Sequence, residues 1–270
     1  MADIGEYADW RDASLTTSWR HFGDDELSGK DVLDFGCGAG QLSFFLASKD
    51  LAKTITGVDI DEVALARANA ILAKQSELKG KMSFLEGSVE GLPVEDGSID
   101  LITAFDCLEH VMDPGAILKD WMRVLRPGGR VLIEWFPFKG PWGPHMEALI
   151  PVPWAHVIFG EKAMFRTAAA IYDDPDFVPR HWDLTPDGSK KPNKWTQWET
   201  FAQQGYVNGL DIADFRKLVS EAGLTIERLD KSGFGASGAK RALGQSLMAL
   251  PILGEYATSY TVIILEKPAA

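Results

Sequence analysis

From Asp31 to Trp135 short apolar runs alternate with helical patterns, and this alternation leaves the chain very few possible folds. It is typical of a parallel sheet covered by helices on both faces. The sequence therefore predicts an α/β fold. The predicted strands are Val32–Phe35, Thr54–Val58, Met82–Leu85, Leu101–Ala104 and Arg130–Trp135, and the predicted helices are Gln41–Ser48, Glu62–Lys79 and Pro114–Leu125.

Three signals mark the end of this region and the start of a different one. Asp113 and Pro114 are an N-cap and a first-turn residue for the third helix. A turn is expected at Arg126–Gly129, because proline cannot extend a helix and glycine permits the turn. Between Pro137 and Gln204 lie nine of the fourteen prolines and eleven aromatic residues, which is too aromatic for a linker and predicts an inserted lid.

Regular structure returns after this insertion. A helix is predicted over Asp211–Ala222, a strand over Leu224–Leu229 and a last apolar strand over Thr258–Leu265. Only Ala239–Leu250 could supply a further helix between the two strands, so we expect them to form an antiparallel edge.

The charge and composition of the chain limit the kinds of molecule that it is expected to bind. The net charge of -12 disfavours nucleic acid, because binding to phosphates depends on lysine and arginine. No apolar run reaches the roughly 20 residues of a membrane helix, and the first ten residues are too acidic for a secretion signal. The two cysteines, Cys37 and Cys107, are expected to be free thiols in a cytoplasmic protein that does not bind membranes. The sequence makes no prediction of the oligomeric state.

The first predicted strand runs directly into a glycine-rich loop. Gly36–Gly40 has the form G-x-G-x-G, and a helix begins at Gln41. Glycines let the backbone approach a ligand, and the helix N-terminus offers free N–H groups. Asp59 ends the second strand, where a carboxylate can accept hydrogen bonds from a ribose. These residues predict a site for an adenosine-bearing cofactor, whereas Gln41 departs from the nicotinamide fingerprint. The alternative is a purely structural glycine turn.

Five segments in this order, "VLDFGCGAG", "GVDID", "FLEGSVEGLP", "DGSIDLITAFDCLEHVMDP" and "VLRPGGRVLIEWF", resemble the motifs of class I S-adenosylmethionine-dependent methyltransferases. The resemblance covers about residues 30–136 and, more weakly, Asp211–Leu229. It implies a Rossmann-like sheet of seven mostly parallel strands, with helices on both faces, an antiparallel last strand and the inserted lid after strand five. It also implies the cofactor contacts, which are Asp34, Gly36, Gly38 and Gly40 around the methionine half, Asp59 at the ribose, Ile60, Ser88 and Val89 at the adenine, and Phe105.

With this resemblance the chain divides into four expected parts. Residues 1–28 would be a helical segment over the cofactor site, and residues 29–136 the Rossmann-like core that binds the cofactor. Residues 137–205 would be the substrate lid, and residues 206–270 would complete the sheet.

Two acids and a histidine, Asp106, Glu109 and His110, follow the fourth strand. In ubiquinone-pathway O-methyltransferases and in methyltransferases of plant small RNAs, an E-x-x-E-H sequence at this place binds a divalent metal. This chain has D-x-x-E-H, and carboxylates with an imidazole suit magnesium, manganese or zinc. His145 could add a ligand from the lid. The alternatives are that these side chains only shape the loop, or that His110 acts directly as a base.

An alcohol or phenol acceptor must lose a proton when it is methylated. The candidate bases are His110, His145, His156 and His181, with His145 and His110 taken as catalytic. Aromatic residues that follow the fifth strand could enclose an apolar ring. They are Trp135, Phe136, Phe138, Trp142 and Trp154, and Phe138, Trp142 and His156 are taken as the substrate contacts.

The sequence thus predicts a methyltransferase that uses S-adenosylmethionine and acts on a small, partly apolar or aromatic molecule, with oxygen favoured as the acceptor atom. Three alternatives stay open. The first is a divalent-metal-dependent O-methyltransferase, the second an N- or C-methyltransferase of a natural-product pathway, and the third a non-catalytic regulatory protein that binds the cofactor. An oxidoreductase is the weakest alternative.

Overall fold

A computed structural model describes residues 14–180, 183–185, 187–233, 244–250 and 252–269. It contains one seven-stranded sheet with the order β3-β2-β1-β4-β5-β7-β6. The strands are β1 Asp31–Phe35, β2 Thr54–Asp59, β3 Met82–Glu86, β4 Ile99–Phe105, β5 Leu125–Trp135, β6 Thr225–Gly233 and β7 Thr258–Glu266. The first five strands pair in parallel, which confirms the predicted α/β fold. The last two strands pair with each other antiparallel and form one edge of the sheet, as predicted, and β7 lies between β5 and β6.

The main helices are α1 Gln41–Ser48, α2 Glu62–Leu72, α3 Pro114–Val124, α4 Glu161–Asp173 and α5 Ile212–Ala222. Aspartates cap three of them, because Asp61, Asp113 and Asp211 each accept backbone N–H groups of the first turn. The prediction that α2 continues to Lys79 is wrong. Leu72 and Leu78 both pack on the core. In one continuous helix, two residues that are six positions apart would lie on different faces, so the helix ends before Leu78.

The start of β5 also differs from the prediction. The strand begins at Leu125, the predicted last residue of the helix, and includes Arg126–Gly129, where a turn was expected. In the pairing of β4 with β5, Ile99 lies opposite Leu125, and the next pair is Leu101 opposite Arg130. Residues 126–129 therefore form a bulge in the strand, and Gly128 adopts the positive φ of 77° that this requires.

Neighbouring strand residues supply two different cores. Leu33 and Ile102 face α3 and α5, and the largest side chains there are Trp121 and Phe215. Val32 and Leu101 face the opposite side, towards α1 and α2. Since successive strand side chains alternate between faces, the continuous apolar runs of the sequence follow from burial on both sides.

The segment between β5 and α5, residues 137–205, is called the insertion below. It has an apolar cluster of its own, made of Met146, Ile150, Ala155, Met164, Phe165, Ala168 and Phe201. Amphipathic α4 supplies three of these residues. The insertion is therefore packed around its own core.

Residues 14–28 pack on the sheet, with Leu15, Trp19 and Leu27 buried beside α1 and α2. Residues 1–13 of the predicted N-terminal segment and residues 239–243 of the predicted helix Ala239–Leu250 lie outside the described residues, whereas residues 244–248 are helical. Within the described ranges, no helix is both long and apolar enough to cross a membrane.

Candidate functional site

The glycine loop after β1 is held between the neighbouring strands. Gly36 has φ 70°, and a Cβ added there would lie 2.7 Å from Cβ of Cys107, in the turn after β4. A Cβ at Gly40 would lie 2.7 Å from the ring of Phe84. A Cβ at Gly38, by contrast, would meet no atom within 4 Å. Gly36 and Gly40 are therefore required by packing, whereas the backbone at Gly38 faces open space that a ligand can approach.

Two aspartates fix this loop. Asp59 Oδ2 accepts a hydrogen bond from Gly38 N at 2.7 Å, so the end of β2 and the loop act as one unit. Asp34 is only 2% exposed, and it accepts bonds from Ser43 Oγ at 2.5 Å and Thr103 Oγ1 at 3.0 Å. This placement beneath the loop suits a positioning role for Asp34 better than direct contact with a ligand.

The predicted adenine contacts lie at the ends of β2 and β3. Ile60 is 71% exposed and Val89 is 94% exposed, which is unusual for such apolar side chains. Ser88 Oγ accepts a hydrogen bond from Glu90 N within its own loop. Phe105 is placed differently, because it is 3% exposed and stacks on Phe22 at 5.3 Å in the core. The exposed apolar pair fits a flat ring such as adenine, with the Asp59 carboxylate nearby for a ribose.

The turn after β4 carries the acid and histidine that the sequence singled out. Leu108–His110 is a short 3-10 helix, and Glu109 within it is 1% exposed. His145 comes from the insertion, with a left-handed backbone of φ 54°, and its Nε2 lies 3.4 Å from Glu109 Oε1. Glu109, His110 and His145 offer ligand atoms that all lie within 4.8 Å of one another. Asp106, the first acid of D-x-x-E-H, is not part of this cluster.

The protonation state of the two imidazoles follows from their surroundings. His110 Nδ1 lies 2.8 Å from the backbone oxygen of Tyr206. Because a carbonyl can only accept, Nδ1 carries the proton and Nε2 of the neutral ring keeps a lone pair. Burial lowers the pKa of His110. Burial, together with the neighbouring charge of His110, lowers the pKa of His145 to about 4, although the carboxylate of Asp106 acts in the opposite direction.

One residue of this site carried no sequence signal. Asn208 follows the insertion, and its Nδ2 donates to the backbone oxygens of Leu108 and Val111, at 2.8 Å in each case. Its backbone N–H donates to the oxygen of Glu109, also at 2.8 Å. Asn208 therefore holds the turn that presents Glu109 and His110. Its partners lie about a hundred positions away in the sequence, so no local pattern reveals this role.

The predicted aromatic cluster separates into core and site residues. Trp135 is fully buried and packs on Phe215, so it belongs to the core of the sheet rather than to a pocket. Phe136 places its ring edge-on to His145 at 5.1 Å. Phe138 packs on His156 at 5.2 Å, and His156 shares a cleft of the insertion with Trp142. His181, another candidate base, lies outside the described residues.

One thiol, Cys37, lies within the glycine loop, and the other, Cys107, lies against it. Cys37 and Cys107 are both buried and free. Burial raises the pKa of both thiols, and the nearby carboxylates of Asp34 and Asp59 act in the same direction. The thiol forms persist at neutral pH, so neither side chain is suited to act as a nucleophile.

Comparison with known proteins identifies a domain family within the chain. Residues 33–133 match the family model described as a methyltransferase domain. The chain is 40% identical to tocopherol O-methyltransferase of Arabidopsis thaliana over 110 residues, which are 41% of this chain and 31% of that protein. It is 38% identical to ubiquinone biosynthesis O-methyltransferase of Pseudomonas putida over 109 residues, 40% of this chain and 45% of that protein. The match thus spans less than half of the length of these curated relatives.

Solved structures extend the similarity of fold beyond this domain. An S-adenosylmethionine-dependent methyltransferase from Mesorhizobium loti superposes with a TM-score of 0.53 at 16% identity, over 96% of this chain and 97% of that one. The [4+2]-cyclase SpnF superposes equally well, with a TM-score of 0.53 at 16% identity, over 96% of this chain and 81% of that one. At such low identity these matches concern the fold alone.

Proposed function

We propose that the chain methylates a small, partly apolar acceptor, with oxygen as the favoured atom. The premise is that residues 33–133 are a class I S-adenosylmethionine-dependent methyltransferase domain. One observation carries the proposal. Gly36 of the glycine loop is in contact with the turn after β4, and two residues further along that turn Glu109 faces His145. A cofactor loop and a candidate base thus lie at one edge of the sheet.

The cofactor supplies a methyl group on a positively charged sulfur, which is already reactive. We propose that Gly36 and Gly38 give its methionine half close access to the backbone and that Asp59 accepts hydrogen bonds from its ribose. Ile60 and Val89 would cover the two faces of the adenine, and Ser88 would lie at the ring edge. Asp34 and Gly40 would shape the loop from below, and Phe105 would support it from the core.

The base is proposed to be His145. Its lowered pKa keeps the imidazole neutral at pH 7, so it can accept a proton from a hydroxyl group. Nε2 of His145 lies 3.4 Å from Glu109 Oε1, close enough for the carboxylate to stabilise the imidazolium that forms. His110, whose Nε2 lone pair is fixed by the Tyr206 carbonyl, is the alternative base.

The choice of oxygen draws on two relatives whose names state O-methylation of tocopherol and in ubiquinone biosynthesis. Phe138, Trp142 and His156 are proposed acceptor contacts, and residues 137–205 the lid that carries them. The carboxylates of Asp106 and Glu109 beside the site disfavour an anionic acceptor such as nucleic acid. The two free thiols favour a reducing compartment such as the cytoplasm.

Transfer of a labelled methyl group to a panel of phenols, amines and carbon acids tests the proposal. His145→Gln should lower kcat by about a hundredfold or more and leave the dissociation constant of the cofactor within about twofold. Loss of cofactor binding with unchanged kcat would place His145 elsewhere. Labelling of amines or carbon acids in preference to phenols would replace the oxygen assignment by N- or C-methylation.

A second candidate is metal-assisted O-methylation, favoured by the cluster of Glu109, His110 and His145. One carboxylate and two imidazoles suit zinc or manganese, and a backbone carbonyl already orients His110 as in many metal sites. A bound ion would act as a Lewis acid that lowers the pKa of the acceptor hydroxyl. Calorimetric titration of zinc into Glu109→Gln should show at least tenfold weaker binding, with Asp106→Asn as the matched control outside the cluster. Activity that persists after chelation would exclude this candidate.

A non-catalytic protein that binds the cofactor is the alternative of another class. The similarity to a [4+2]-cyclase shows that this fold is not restricted to methyl transfer. Cofactor binding without methyl transfer to any member of the panel would favour this alternative.

A further inference from the structure

A second pair of a carboxylate and an imidazole lies at the carboxyl end of β5. Nε2 of His21 lies 3.8 Å from Oε1 of Glu134, and the two side chains are 33% and 9% exposed, respectively. A ligand can therefore reach the imidazole, while the neighbouring carboxylate is largely buried, where its charge acts more strongly than in water. Neither residue has a role in the function proposed above.

His21 and Phe22, from the segment before β1, lie over the last residues of β4 and β5. Phe105 of β4 is paired with Glu134 of β5. Phe22 stacks on Phe105 at 5.3 Å, and His21, its neighbour in the chain, lies against Glu134. The pair of His21 and Glu134 is therefore placed at the edge of the sheet where α/β proteins bind their ligands.

The same edge carries the glycine loop. The backbone N–H of Asp106 donates to the backbone oxygen of Glu134 at 3.2 Å. Cys107, the next residue, lies so close to Gly36 that a Cβ added to the glycine would be 2.7 Å from Cβ of the cysteine. Only the turn after β4 thus separates the end of β5 from the loop that is proposed to hold the methionine half of the cofactor.

A row of half-buried rings connects His21 with the candidate base His145. The ring of Phe136 is edge-on to His145 at 5.1 Å, and Tyr260 of β7 lies 6.2 Å from Phe136. His21 lies 6.3 Å from Tyr260. All four rings are partly exposed, so the row offers aromatic surface to a ligand, with an imidazole and a carboxylate at each end.

We propose that His21 and Glu134 are specificity-determining residues that bind a second polar group of the acceptor. This group is a hydrogen-bond donor, because an ionised carboxylate can only accept hydrogen bonds. The acceptor is then an apolar or aromatic molecule with donors at two ends, of which the one at His145 is methylated and the one at His21 is held. The inference rests on the proposed function, because it takes the methyl acceptor as the occupant.

The test uses two pairs of ligands that differ only in the second donor, with binding measured by calorimetry with and without S-adenosylhomocysteine. The first pair is 4,4′-dihydroxybiphenyl and 4-hydroxybiphenyl, and the second is tyramine and 4-ethylphenol. In at least one pair the ligand with two donors should bind about three- to tenfold more tightly, as one net hydrogen bond predicts. The pair that shows this preference identifies the donor as a hydroxyl or an ammonium group. The absence of a preference in both pairs would overturn the proposal.

Two variants locate the preference. His21→Phe keeps a ring beside Tyr260 but removes its hydrogen bonds, and Glu134→Gln keeps the size of the side chain but removes its charge. Each should lower the preference to less than about twofold. Glu227→Gln is the matched control, because this carboxylate pairs with Arg130 near the start of β5, and it should leave the preference unchanged. A preference that survives in both variants would contradict the proposal.

Two further measurements keep the result independent of the variants' folding and of the proposed function. In the wild type, the imidazole nitrogen signals of His21 should shift with the preferred ligand and not with its single-donor partner; the opposite pattern would refute the contact. A preference that depends on His21 and Glu134 without methyl transfer would refute the proposed function and leave the contact intact. Equal kcat/KM for both members of each pair, unchanged in the variants, would refute the contact and leave the proposed function intact.

Discussion

The burial of His145 predicts a specific pH dependence of stability. An unfolded chain protonates this imidazole near its ordinary pKa of 6.5, whereas the folded chain does so only near a pKa of about 4. As the pH falls through this window the unfolded state binds the extra proton first, so folding stability is lost; above pH 6.5 the effect is absent. The difference between the two pKa values corresponds to about 3 kcal/mol, of which about 2.5 kcal/mol is expressed by pH 4.5.

Urea unfolding of the wild type and His145→Gln at several pH values between 8 and 4.5 measures this effect. The free energy of unfolding of the wild type should fall by about 2.5 kcal/mol more than that of the variant over this range. A constant difference would show that His145 is not held neutral by burial. A difference of opposite sign would show a charged imidazole paired with Glu109, since an ion pair raises the pKa of a histidine and stabilises the fold at low pH.

Three further predictions concern the loop and the turn. Gly36→Ala should lower the free energy of unfolding in urea by about 2–4 kcal/mol, because the added methyl group would collide with Cys107 and the residue has a positive φ. Gly38→Ala is the control, because a methyl group there has no such contact, and it should lower the free energy of unfolding by about 1–2 kcal/mol. Asp59→Ala should weaken cofactor binding tenfold or more by calorimetry, because the ribose loses its acceptor; unchanged affinity would remove that role. Asn208→Ala should lower the free energy of unfolding by about 1–3 kcal/mol, because the turn with Glu109 and His110 loses two hydrogen bonds. It should also lower kcat more than it alters the affinity for the cofactor. A loss of stability with unchanged kcat would contradict the positioning role of Asn208.

The inner strands of the sheet could be predicted from the sequence because they are buried on both faces. Burial of that kind produces continuous apolar runs, such as the one in β4. The predicted bounds of β1 to β4 and of β7 agree with the structure to within two residues, whereas β5 begins five residues earlier and β6 ends four residues later than predicted. The end of α2 and the bulge at residues 126–129 could not be predicted. Both depend on which side chains reach the core across the sheet, and local periodicity does not contain that information.

The candidate site shows the same division. The likeness of D-x-x-E-H to a metal-binding E-x-x-E-H segment grouped Asp106 with Glu109 and His110. In the structure Asp106 precedes the 3-10 turn and has a left-handed backbone with φ 51°, so it falls outside the register of that turn. His145, which the sequence offered both as a candidate base and as a further ligand from the lid, joins the cluster.

The insertion contributes more to this site than a cover would. His145, near its beginning, faces Glu109, and Tyr206 and Asn208, just after its end, hold His110 and the turn. The glycine loop and Asp59, by contrast, form their contacts within residues 29–136. Cofactor binding should therefore tolerate changes in the insertion that abolish proton transfer, since the imidazole cluster exists only while both ends of the insertion are in place. This separation lets one cofactor domain serve different acceptors by exchanging the segment after β5.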